Sequence, residues 1–327
     1  MSDLSNYSFY AEAQRGYVVK VMFDVLAAKL HYLYLRTTEK GIEILEADEA
    51  AKILFHVVLP RENWRIYHYN DFGGGVSINA KHLYKLLRNV KKKESASLFC
   101  EKADPRQLGL TIKPENATGR HVSRSETNYF VICQKDTECE NSVPEDKYYH
   151  HPIVITSSDF QRAKKLSGVG RDIRVTMQSC HYLQFSCGTT GVYSTKLEFG
   201  TRVPRPEPKA SSPVTPPVTP ITGSKITKKE KCKAADPNPH AKAEPEEVED
   251  DGYGDYVAEF QSSMFNQLVK LPGLCTQMQF YAPKNGKVLP RYPLKIKASA
   301  GTLGTISIFI KDSEQVAYEE SMRPVQG

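Results

Sequence analysis

The sequence predicts an α+β protein built largely from antiparallel strands. Three observations carry this. Amphipathic helical patterns occur four times, short strands with turn signals follow each one, and the series reads as two similar halves. The first helix is expected over residues 17–30, with Val18, Met22, Val25 and Leu26 on one face. Strands follow at 33–36, at 42–45 after the turn at Gly41, and at 52–59. The second helix is expected over 81–90, where Leu83, Leu86, Leu87 and Val90 fall at helical spacing, with strands at 95–101 and 108–112. The third, over 158–166, precedes strands at 173–177 and 182–186. The fourth, over 257–271, carries Phe260, Met264, Leu268 and Leu271 on one face. Its strands are expected at 277–281, 293–298 and 305–311.

Bulk properties narrow the class. At 327 residues, 40% hydrophobic and 25% charged, the chain suits a globular protein of about two domains. It holds no run of about 18 apolar residues, so no membrane span is expected. Residues 1–15 lack an apolar core, so no secretory signal is expected. The cysteines are Cys100, Cys133, Cys139, Cys180, Cys187, Cys232 and Cys275; their number is odd and none are spaced CxxC, which predicts reduced thiols. The net charge of +6 points weakly to an acidic partner.

Residues 201–253 stand apart. Ten of the twenty prolines lie there and aromatics are nearly absent. The stretch runs from Pro/Thr-rich to basic (Lys225, Lys228, Lys229, Lys231, Lys233) to acidic (Glu244 to Asp251). Such a composition buries too little apolar surface to offset its ordering entropy, so a disordered insertion is expected. Ser212, Thr215 and Thr219 each precede proline, the pattern a proline-directed kinase reads.

The outer faces of the helices are basic. Lys81, Lys85 and Arg88 form a stripe opposite the leucines, Arg162 and Lys165 share a face with Lys164 beside them, and Lys20 and Lys270 add single charges. A solvated surface is the ordinary reading of one such stripe. Its recurrence in both halves favours a surface that faces phosphates, with salt-dependent and sequence-blind affinity.

Four stretches resemble one known family. They are SSDFQRAKKLSGVG at 157–170; the segment 257–271 with PLKIK at 293–297 and GTISIFI at 304–310; GIEILEAD at 41–48; and SVPE at 142–145. Their order and spacing are similar to those of the eukaryotic and viral sliding clamps, the proliferating cell nuclear antigen family, over residues 9–200 and 254–312. The resemblance implies the DNA-clamp fold: two similar domains per chain, each with two helices on antiparallel sheets, and three chains closing a ring around double-stranded DNA. It places an N-terminal domain at 1–130, a connector at 131–150, a C-terminal domain at 151–312 interrupted at 201–253, and a flexible tail at 313–327.

The same resemblance implies a processivity factor for DNA polymerase, with no enzymatic activity, metal or cofactor. A clamp loader and replication and repair proteins would be its partners, in the nucleus or at a viral replication site. Lys20, Lys85, Arg88, Arg162, Lys165 and Lys270 match the family's channel positions, and Lys81 extends the stripe; Ser263 stands where the family has a basic residue. Ala47, Leu54, Val143, Pro293 and Phe309 match a front-face pocket for partner peptides, with Ala47 smaller than its counterparts and Asn141 in place of a leucine.

Three other readings compete. One is a subunit of a heterotrimeric checkpoint clamp, another a DNA-processing enzyme on an unrelated fold, the third a viral-type factor that binds DNA without closing a ring. Isolated motifs carry less. The triplet at 71–73 lacks the other kinase signatures, Gly73 to Gly75 lack the lysine of a phosphate loop, His150 and His151 lack partners at metal spacing, and Asn116 is a glycosylation match. No set of catalytic residues stands out.

Overall fold

The computed structural model describes residues 4–70, 75–114, 127–133, 141–168, 170–178, 181–189, 193–202, 255–268, 270–285 and 289–322. Strand β1 (Tyr7–Ala13) leads into helix α1 (Gly16–Ala27). Then come β2 (Tyr32–Thr38), β3 (Gly41–Ala47), β4 (Ile53–Pro60), β5 (Ile66–Tyr69) and β6 (Gly75–Asn79). Helix α2 (Ala80–Leu87) precedes β7 (Glu94–Glu101), β8 (Asp104–Pro114) and β9 (Thr127–Ile132). Past residue 150 the order is β10 (Ile153–Thr156), α3 (Ser157–Phe160), a 3-10 segment (Gln161–Gly168), β11 (Asp172–Gln178), β12 (Tyr182–Thr189) and β13 (Tyr193–Gly200). The last run is β14 (Tyr256–Gln261), α4 (Ser262–Leu268), a 3-10 turn (Leu271–Gly273), β15 (Gln277–Tyr281), β16 (Leu294–Ser299), β17 (Thr305–Ile310) and α5 (Ser313–Met322).

Every strand pairing among the described residues is antiparallel, as the α+β reading expects. Three sheets result, in the orders β5-β1-β7-β8-β9, β10-β15-β16-β17-β4-β3-β2-β6 and β13-β12-β11-β14. The eight-stranded sheet joins the two ends of the chain where β17 pairs with β4. Its two faces differ because side chains alternate along each strand. One row across it is Phe55, Ile308, Ile296 and Phe280, all buried; the row on the opposite face is Leu45, His56, Ser307, Lys297 and Gln279. Each large side chain in the apolar row contributes about 1.5–3 kcal/mol by leaving water. The turn into β3 needs Gly41, whose φ is +141° and where a Cβ would collide with the Leu59 carbonyl.

Several expectations are corrected. The helix expected over 257–271 begins only at Ser262, because Tyr256, Ala258 and Phe260 are buried alternately with exposed Val257 and Glu259 and pair with β11 as a strand. The third helix is α-helical only over Ser157–Phe160; Phe160, Ala163 and Leu166 are buried three apart, the period of the 3-10 segment that follows. A helix, Ser313–Met322, forms where a flexible tail was expected. Asp312 caps it by accepting from the Glu314 and Gln315 amides, and Arg291 clamps Asp312.

Strand β1 was not foreseen, although Ser8, Tyr10 and Glu12 alternate with Phe9, Ala11 and Ala13; both rows are buried, in a strand paired on each side with β5 and β7. The main body comprises Met1–Arg202 and Tyr253–Gly327. The insertion, with Ser212, Thr215, Thr219 and its lysines, lies outside the described residues. So do the triplet at 71–73, the glycosylation match, and Cys139, Cys180 and Cys232. Cys100, Cys187 and Cys275 are buried free thiols, and burial pushes Cys275 up to about 11.

Candidate nucleic-acid interface and partner pocket

The helical elements pack in a continuous series. α2 packs on α1, α1 on the turn Leu271–Gly273, that turn on α3, and the 3-10 segment after α3 on α4. Within α2, Asn79 caps the first turn by accepting from the His82 amide at 3.0 Å. Leu83 and Leu87 face the core, which leaves Lys81, Lys85 and Arg88 exposed as the stripe expected. Among the described residues these three cations pair with no carboxylate.

The other expected cations are engaged differently. Lys20 Nζ donates to the carbonyls of Arg88 (2.8 Å) and Val90 (3.1 Å), so it caps the end of α2, where carbonyls lack helical partners and the dipole is negative. Lys270 donates to Asp24 Oδ1 of α1 at 2.7 Å. Arg162 is exposed and 3.7 Å from Asp159. Lys165 is in the 3-10 segment, and its side chain lies outside the described residues. Ser263 is exposed on α4. The sequence reading missed Lys91, Lys92 and Lys93, an exposed run just past α2. Lys92 Nζ stands 5.8 Å from the Tyr17 ring, which Lys20 also approaches at 5.7 Å. The run itself, next to a basic helix, was the signal.

The candidate pocket lies on the other face of the eight-stranded sheet. Register places Ala47, Leu54, Phe309, Lys295 and Tyr281 in one row across five strands. Three of the five pocket residues therefore come together. Ala47 and Leu54 are half-buried, whereas Phe309 is 1% exposed, beneath Tyr149 at a ring separation of 6.4 Å. Pro293, half-buried, lies two residues before Lys295 in the chain. Val143, also half-buried, belongs to the segment 141–150 that passes over this face. Backbone bonds tie that segment down: the His150 amide donates to Ala282, and Lys284 to Tyr148. Tyr148 stacks on Tyr292 at 4.3 Å.

Lys295 was not foreseen at all. It is buried, forms an ion pair with Asp146, and faces the rings of Tyr281, Tyr149 and Phe309. The bond from Lys295 holds the Asp146 carboxyl below the usual carboxylate range, and burial pushes the Tyr149 phenol up. Among the described residues no three His, Cys, Asp or Glu side chains gather as a metal site would require, and no helix is long and apolar enough to cross a membrane.

A stretch of 114 residues, 34% of the chain, is 32% identical to the probable DNA polymerase sliding clamp 1 of Paramecium bursaria Chlorella virus 1. The likeness is to a sliding clamp. It spans 42% of that protein, less than half its length. No family model matches the chain.

Proposed function

We propose that the protein is a DNA sliding clamp: a non-enzymatic processivity factor that encircles duplex DNA, in the nucleus or at a viral replication site, and recruits polymerase and other proteins. The observation that carries this reading is the 32% identity to a viral protein named as a DNA polymerase sliding clamp. The unpaired Lys81, Lys85 and Arg88 support it, since cations on a helix face hold phosphates without reading bases. The clamp domains at 1–130 and 151–312, the connector between them, the homotrimer, the clamp loader and the front-face pocket belong to the same proposal. Topology gives the test. A ring loaded on nicked circular DNA stays bound through a high-salt wash and falls off when the circle is linearised. Equal retention on circular and linear DNA would rule the reading out.

A further inference from the structure

Among the described residues, the face of the eight-stranded sheet that carries Leu54 and Phe309 gathers hydrogen-bond donors short of acceptors. Lys295 is 4% exposed, and a buried cation persists only with compensation. Its Nζ donates to Asp146 Oδ1 and otherwise meets ring faces, 5.0 Å from the Tyr281 centroid, 5.5 Å from Tyr149 and 5.7 Å from Phe309. An ammonium carries three donors, so one oxygen leaves it under-supplied. Beside it Tyr149 is 5% exposed, and its hydroxyl is buried with no hydrogen-bond partner among the described residues. A buried hydroxyl left unmade is costly, and structures that keep one keep it for a reason. The acceptor present, Asp146, has a side chain 82% exposed, so it reaches the ammonium from the solvent side.

We propose that Lys295 and the Tyr149 hydroxyl form a carboxylate-binding subsite of the front-face pocket, met by Asp146 only at Lys295 in the free protein and filled by an acidic side chain of the docked peptide in the complex. This rests on the peptide-pocket reading above. The partner is therefore a peptide with two features, an apolar anchor on Ala47 and Leu54 and a carboxylate on Lys295. Leu54 and Lys295 flank Phe309 from the two neighbouring strands, which puts them about 10 Å apart, the span of about three extended residues.

The test uses the full chain and fluorescent synthetic peptides with two adjacent aromatic residues. Each carries Glu or Gln from about two to about four residues away on either side. At one position the Glu peptide binds about tenfold more tightly than its Gln counterpart. Lys295→Met, which fills the ring cage with a polarisable thioether, and Tyr149→Phe both remove that preference while still binding the Gln peptide. Asp146→Asn raises affinity for the Glu peptide by removing the competitor. Equal binding of Glu and Gln at every position overturns the subsite and leaves the pocket standing. Weaker Glu binding in Asp146→Asn overturns it too, since Asp146 would then be only a structural tie, as does equal loss of both peptides in Lys295→Met. No binding of any peptide overturns the pocket and the subsite together.

Discussion

Lys20 and Lys85 carry the same charge on neighbouring helices, yet their surroundings give them different work. Lys20 spends its donors on the Arg88 and Val90 carbonyls, while Lys85 faces solvent with Arg88 beside it in the stripe. Replacing Lys85, Arg88 and Arg162 together with alanine should make log K for duplex DNA less steep in log salt, by about 0.9 for each phosphate no longer neutralised. The same variant should melt like the parent, because these side chains touch no apolar core. Lys20→Met should do the reverse, costing about 0.5–1.5 kcal/mol of stability and leaving the slope unchanged. A salt titration by fluorescence anisotropy, run beside urea denaturation, checks both. A triple variant with the parent's slope would remove these residues from the interface.

At the scale of elements, the decisive feature is the pairing of β17 with β4, which makes one sheet from the two ends of the chain. Ile308 is fully buried there, opposite Phe55 and Ile296. Ile308→Ala should cost about 2–5 kcal/mol, from reduced burial plus the cavity left behind. Val257→Ala, at a strand position 47% exposed, should stay within about 0.5 kcal/mol. Urea midpoints at constant m-value measure both, and a mild effect of Ile308→Ala would mean that the seam is not a cooperative part of the core.

For the whole molecule, the open sheet edges matter most. β9 and β13 each end a sheet, and β9 presents Phe130 at 53% and Ile132 at 76% exposure. A cleft of about 630 Å³ runs beside it, lined by Tyr32, His82, Leu86 and Phe130. An exposed apolar edge strand invites pairing with another chain, and ring closure through β9 and β13 of successive copies would satisfy both edges with one repeated interface. Ile132→Lys should therefore give monomers under conditions in which the parent has the mass of a trimer by light scattering. A parent that stays monomeric at micromolar concentration would refute closure. Arg202 pairs with Asp255 at 3.2 Å, and deleting 203–252 should leave the number of chains per particle in solution unchanged, since loop length alters closure entropy by only about 0.6 kcal/mol per doubling.

The sequence alone determined the fold class, most of the strands, the first two helices and the basic stripe on α2, because these follow from local periodicity and turn residues. Its register also implied which residues of β3, β4 and β17 share a face, once their pairing was known. Tertiary structure decided the rest. Spacing of four between Phe260 and Met264 suits a helix, but pairing with β11 claims Phe260 for a strand. Nothing local distinguishes Lys20 as a cap from Lys85 as a free cation, because their partners lie far away in the chain or in solvent. Lys295 reads as one more surface lysine of a strand. Only the arrival of Asp146, Tyr149 and Phe309 from separate segments makes it a buried cation, since burial is a property of the assembled neighbours and not of the residue.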